Sequence, residues 1–110
     1  MRLLKRIRIN WLENDNNVEV ATGFISVYDN GVIYMSVDLA QYIGDVKWVK
    51  IGLDESKSIM VIKPSDIPIN SYPVSKYQNA KIITGIPKLN VQKLKATTYR
   101  SDDSLIAVLA

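Results

Sequence analysis

The chain offers little for covalent or acid–base chemistry and more for binding. Its 110 residues contain no His and no Cys. That removes the commonest general base, thiol nucleophiles, disulfides and the usual zinc ligands. Asp54-Glu55 and Asp102-Asp103 are adjacent carboxylates, and paired carboxylates are what acid–base or metal work needs. Adjacent residues on a turn rarely converge on one point, however, and turn chemistry explains both pairs. No phosphate-cradling glycine loop, dinucleotide fingerprint or metal-ligand spacing occurs. The expectation is a protein that is not an enzyme and has no cofactor and no metal.

The cations carry the binding signal. Lys76, Lys81, Lys88, Lys93, Lys95 and Arg100 follow one another with no acidic residue between Ser75 and Arg100. Arg2, Lys5, Arg6 and Arg8 precede the first acid, Glu13, and Arg6 and Arg8 share one face of an alternating stretch. The formal net charge is +3, and most of the acids lie in the middle of the chain. Such cations can neutralise phosphates through counterion release, or meet an acidic protein surface. Lysine lacks the planar fork that reads guanine, so base specificity would be weak. A solvated lysine face that keeps edge strands from aggregating explains the same run. The six tyrosines suit a protein interface if exposed, although packing on half-buried strands is their commoner use. Trp11 and Trp48 are expected in the core.

The elements that would position these groups are mostly strands. Hydrophobic residues make up 47% of the chain, enough for a single core. No apolar run is long enough to span a membrane, and the start lacks a signal-peptide core, so a cytoplasmic protein is expected. Leu3 to Leu12 alternates, with Ile7, Ile9 and Trp11 on one side, and predicts a strand. The Asn-rich turn after it and Val18 to Ala21 complete an N-terminal hairpin over residues 1–22. Phe24 to Tyr28 and Val32 to Met35 flank Asp29-Asn30-Gly31, a strong signal for a type I′ hairpin turn. Ser36 is placed to cap a two-turn helix with its hydroxyl, and Gly44 to end it in the left-handed conformation. Trp48 to Leu53 and Ser58 to Ile62 form a second hairpin around Asp54 to Lys57, stopped by Pro64. Residues 65–74, rich in proline, read as an extended connector.

A degenerate copy of this pattern follows over residues 75–110. Tyr77-Gln78-Asn79-Ala80 resembles Tyr28-Asp29-Asn30-Gly31, Leu94 to Tyr99 matches the Trp48 strand, and Ser101 to Ser104 matches the Asp54 turn. Ile86-Pro87-Lys88-Leu89 stands where the helix was, and Gly85 and Pro87 permit no more than one helical turn there.

The layout from Phe24 to Pro64 resembles the SpoVT/AbrB-type swapped-hairpin domain. Asp29-Asn30-Gly31-Val32-Ile33-Tyr34-Met35-Ser36 is similar to that family's turn and strand. Leu39, Ile43 and Gly44 are similar to its helix and helix-ending turn, and Val49-Lys50-Ile51 with Ile59 to Pro64 to its closing hairpin. The resemblance implies a mostly β fold with one short helix. It would be a swapped-hairpin-like barrel made from the two internal repeats, 23–64 and 75–110, plus the N-terminal β-hairpin. As a monomeric pseudo-dimer or a homodimer it would form one compact domain.

The resemblance also implies DNA binding, often in transcription regulation, with arginines around the glycine turn and on the helix as the contacts. Here Val32, Gln41 and Tyr42 occupy such positions, and Lys81 and Lys88 are the cations at the equivalent places of the second copy. Two functions are therefore expected: a small AbrB-like protein binding double-stranded DNA, or an inhibitor protein of a phage or mobile element. The second would bind a host defence protein that handles nucleic acid.

Overall fold

The alternation of apolar and polar residues sets which way each strand faces. A computed structural model of the chain describes residues 18–110. In chain order the strands are β1 (Val18–Val20), β2 (Ile25–Val27), β3 (Ile33–Met35), β4 (Trp48–Leu53), β5 (Ile59–Ser65), β6 (Tyr72–Tyr77), β7 (Ala80–Ile83), β8 (Lys93–Ser101) and β9 (Ser104–Val108). One helix, α1 (Val37–Ile43), joins β3 to β4 among the described residues. Ile25, Val27, Ile33, Met35, Val49 and Ile83 are wholly shielded from solvent and point into one interior.

Eight strands close on themselves. The order is β8-β2-β3-β7-β6-β4-β5-β9, and β9 pairs back onto β8. Every pairing is antiparallel. β1 is an additional strand that pairs with the C-terminal part of β8, with Glu19 opposite Arg100. The closed barrel is therefore the architecture, and closure gives each of its eight strands two neighbours, though along only part of its length in β4, β5, β6 and β8. The first strand expected from the sequence, the turn after it and Trp11 lie outside the described residues.

The two halves of the chain interleave. Hairpin β2–β3 sits between β8 and β7, and hairpin β4–β5 sits between β6 and β9. Exchanging β2, β3, β4 and β5 for β6, β7, β8 and β9 reproduces the same ring of neighbours. At one end of the barrel α1 packs Leu39 against the core. At the other, the irregular segment 84–92 inserts Ile86, with Leu89 and Val91 packed beside it. Thr98 is a buried polar side chain, and its hydroxyl donates to the Ala96 carbonyl at 3.0 Å.

Several local expectations change. Ser36 does not cap α1 with its side chain; its hydroxyl accepts the Phe24 N–H at 3.0 Å instead, and so ties the helix start to β2. Gly44 has a positive φ of 69° but a ψ of −143°, outside the left-handed helical region. The Asn30-Gly31 turn is not type I′, because only Gly31 takes a positive φ there. Gly31 N–H donates to Tyr28, and the Asn30 side chain accepts from Val32 N–H, a longer loop that suits the approach of segment 84–92.

Pro64 does not stop β5, and Pro73 lies within β6. Each stands where its strand has one neighbour. β9 pairs with β5 only over Ile59 to Ile62, and β7 pairs with β6 only from Val74 onward. A missing N–H therefore breaks no ladder there. Trp48 is not a core residue; it is half-buried, on the side of β4 opposite the enclosed Val49.

Candidate interaction site

The barrel scatters the cations that the sequence places in one run. Lys81 is the second residue of β7 and its amine donates to the Gly44 carbonyl, where a cation complements the C-terminal end of the α1 dipole. Lys76 is directly opposite Lys81 in the β6–β7 register and is exposed. Both line a polar cleft that also holds Gln41, Asp45 and Asn79.

Arg100 is committed as well. Its Nε and Nη2 donate to one carboxylate oxygen of Glu19 at 3.0 and 2.6 Å, and its guanidinium lies 5.0 Å from the centre of the Tyr42 ring. The hydrogen bond and charge of Glu19 hold the guanidinium above its ordinary value. Tyr42 in turn donates its hydroxyl to the Asp102 carbonyl at 2.6 Å, pinning α1 to the β8–β9 turn.

Lys88, Lys93 and Lys95 lie toward the other end of the barrel, on segment 84–92 and at the start of β8. Seven residues of strand, about 23 Å, separate Lys93 from Arg100. Arg6 and Arg8 lie outside the described residues. The structure thus brings Lys76 together with Lys81, but it sets Lys95 on the outer face over Phe24 and Lys93 opposite the inward Val27, and it builds no single cationic surface from the described members of the set.

What it does build is an aromatic groove on the outside of the barrel. Because Ile25 and Val27 point inward, Phe24, Ser26 and Tyr28 point outward; Val32 and Tyr34 do the same beside Ile33 and Met35. β2, β3, β7, β6 and β8 lie side by side, so these residues meet Ile82, Tyr77, Leu94 and Lys95 across the sheet. The groove encloses about 510 Å³.

Its floor is a row of rings. Phe24 and Tyr34 are 6.0 Å apart between ring centres and tilted by 35°; Tyr34 and Tyr77 are 6.4 Å apart and edge-on at 83°. The Lys95 amine continues the row, 5.6 Å from the Phe24 ring centre. Tyr77 is 51% exposed and Leu94 54%, large apolar areas left open to water.

A bulge aims the charged end of this row. Ile25 pairs with Ala96, yet Val27 pairs with Lys93, so β8 spends one residue more than β2. Lys95 takes a left-handed φ of 50° to absorb it. Its freed N–H donates to the Ser26 hydroxyl at 3.0 Å, which explains why an outward serine is only 4% exposed. Leu94 and Lys95 both reach the groove as a result.

The tyrosines were legible as candidates for an interface but not as a cluster. The signal in the sequence is the outward parity of Phe24, Ser26, Tyr28, Val32 and Tyr34.

The carboxylate pairs serve turns. Asp54 accepts Ser58 N–H at 2.7 Å, Ile59 N–H at 3.1 Å and the hydroxyls of Ser56 and Ser58 at 2.8 Å each. Burial pushes its carboxyl up, but these bonds, the Ser58 hydroxyl foremost, outweigh that and hold it at about 2. Asp102 sits at φ 55° in the β8–β9 turn. Among the described residues no group of three acidic, His or Cys side chains is placed to hold a metal, and no helix is long and apolar enough to cross a membrane. Comparison with family models, with curated proteins and with solved structures gives no match.

Proposed function

We propose that this chain is a non-enzymatic interaction protein that binds a protein partner through the outer aromatic face of its barrel. The observation that carries this reading is the row Tyr77, Tyr34, Phe24, with large side chains open to water and one cation, Lys95, at its end. Protein interfaces are enriched in aromatic side chains and depleted of charge at their centre, with polar groups at the rim. A phosphate-tracking surface needs the reverse, several free cations on one face. Lys81 and Arg100 are occupied within the fold, which weakens the duplex DNA reading without touching the interaction reading.

DNA binding is the second reading. The interleaved order of the hairpins supports kinship with the SpoVT/AbrB-type swapped-hairpin domain, and Lys93 and Lys95 on one strand supply a short cationic edge. Fluorescence anisotropy of a random DNA duplex across a salt series separates the two. The interaction reading expects no binding at low salt, together with capture of a protein partner that survives nuclease treatment and is lost in Tyr34→Ala. Tight duplex binding that falls steeply with salt and is lost when Lys93 and Lys95 become Glu would overturn it.

A further inference from the structure

Going beyond the aromatic face, we infer that two copies of this chain associate edge to edge, β4 antiparallel to β4, about a two-fold axis beside Gly52. Three observations select this edge and this occupant.

The first is a break in the internal symmetry of the barrel. β2 meets β8 only as far as Ala96, and β1 covers the rest of that side of β8. Val18 to Val20 pair with Tyr99 to Ser101, and Ala21 N–H donates to the Thr98 carbonyl at 2.9 Å. Exchanging the halves puts β4 in the place of β8 and β6 in the place of β2. β6 meets β4 only at Trp48 and Val49, and among the described residues no strand stands where β1 would stand beside the remainder of β4. The chain that enters β6 does not fill the place, because it turns on itself, with Ser71 N–H on the Pro68 carbonyl.

The direction of the ladders fixes which groups are left over. Asp54 N–H donates to Ile59 of β5, and Val74 N–H of β6 donates to Lys47. Backbone groups alternate between the two sides of a strand, so the even residues of β4 face β5 and the odd ones face β6. Ile51 and Leu53 therefore turn their N–H and C=O groups to a side where β6 has already ended.

The second observation is that this opening is unguarded, whereas the others are guarded. β5 is open toward β9 beyond Ile62, and Pro64 has no N–H to offer there. β6 is open toward β4 beyond Val74, and the residue turned that way is the exposed Lys76. β8 is open toward β9 before Thr97, and the bulge at Lys95 breaks its line. Proline, lysine and bulges are what keep strand edges from pairing. Past Lys50, β4 carries only the half-buried Ile51, Gly52 and Leu53.

The third is self-complementarity. Tyr72, opposite Val49, bounds the opening at one end and the Asp54 turn bounds it at the other, so it admits a strand of about four residues. Lys50 to Leu53 of a second copy is such a strand, and a two-fold axis presents it antiparallel, as β1 lies on β8. Ile51 opposite Leu53, and Leu53 opposite Ile51, pairs every open group. A slip of two residues in either direction leaves one self-opposed residue paired and the other open. In the full register Gly52 faces Gly52 and Lys50 faces Asp54. Lys50 already stands opposite Lys63 within its own sheet, and like charges directly opposite repel. Asp54 of the second copy offsets that repulsion.

The chain has no Cys, so one introduced cysteine reads the register. Gly52 has no positive φ, and Gly52→Cys sets two thiols across the axis within reach of a disulfide. Under mild oxidation this variant should cross-link into a dimer, and Lys63→Cys on the next strand should not. Sedimentation equilibrium of the unaltered chain from about 10 µM to about 1 mM should show reversible monomer–dimer exchange, weak because the contact is short. Lys50→Glu, a change at an exposed residue, should weaken association about tenfold or more by setting Glu against Asp54. Ile51→Pro removes a donor that bonds nothing within the chain and should do the same. Circular dichroism checks that each variant folds, and Lys50→Glu decides if Ile51→Pro does not. Tyr77→Ala should leave association unchanged; loss of the dimer in that variant would put self-association on the aromatic face and overturn the proposal. A chain that stays monomeric throughout overturns it too. So does a dimer indifferent to Lys50→Glu, or one in which Gly52→Cys cross-links no faster than Lys63→Cys.

Discussion

Asp54 shows how much one side chain can do in a four-residue turn. Its carboxylate gathers two backbone N–H groups and two serine hydroxyls, and its pKa of about 2 lies below the ordinary 3.8. A carboxyl whose folded value is depressed stabilises the fold at every pH above its unfolded value. That contribution is lost as pH falls through the folded value. Urea unfolding should therefore show stability declining between about pH 4 and pH 2, and the Asp54→Asn variant should lose that part of the decline. At neutral pH the same variant should cost about 1.5 kcal/mol, the lower end for bonds to a charged group, because the turn is partly open to water. An unchanged acid limb in Asp54→Asn would show that other carboxylates govern it. The turn itself was legible, since Asp, Glu, Ser and Lys in a row punctuate two alternating runs. The fate of the cations was not. Lys76, Lys81 and Lys88 are near one another in sequence, but the strand register sets Lys76 beside Lys81 near the end of α1 while the irregular segment carries Lys88 away, and nothing in residue type announces that Lys81 would serve the end of a helix.

At the level of elements, hairpins β2–β3 and β6–β7 must turn tightly while the rest of the chain closes over them. Gly31 takes φ 91°, and a Cβ there would lie 2.1 Å from the carbonyl oxygen of Ile86. That oxygen belongs to the backbone of the segment plugging the barrel end, so it cannot swing aside as a side chain would. Gly85 has a similar φ of 81° and open space around its Cβ position. Gly85→Ala should cost about 1–2 kcal/mol for backbone strain alone. Gly31→Ala should cost more, about 3–5 kcal/mol, because the plug must also move. Equal losses in thermal and urea unfolding would mean that the plug is not seated on the turn. The glycine, the short helix and the strands around both Asp-containing turns were legible from pattern. Prolines 64 and 73 misled, because a proline in a strand reads as a stop unless the position of the neighbouring strands is known. Ser36 misled for a related reason: its hydroxyl had a backbone partner twelve residues away that competes with the helix N-terminus.

The whole molecule is held by seams that each join one half of the chain to the other. In the ring, β2 meets β8, β3 meets β7, β4 meets β6 and β5 meets β9. The two hairpins of the first half do not touch one another as strand neighbours, and neither do those of the second. The recurrence of turns at matching spacing was visible in the sequence; the interleaving was expected only through the family resemblance, since pairing between distant strands leaves no local mark. The groove was hidden for the same reason, being assembled from strands of both halves. Interleaving has a sharp consequence. Residues 66–71 join β5 to β6 without belonging to either strand, so a chain cut there keeps every hairpin. Yet neither piece contains a single seam between hairpins, and an isolated two-stranded hairpin is marginal in water. Each piece alone at low micromolar concentration should give a coil-like circular dichroism spectrum, and an equimolar mixture should regain the β spectrum of the intact chain. The recovered complex should also capture the protein partner of the aromatic face, because Phe24 and Tyr34 come from one piece and Tyr77 and Lys95 from the other. A single piece that folds as a monomer would show that the barrel is two side-by-side units, and the shared groove would lose its structural basis.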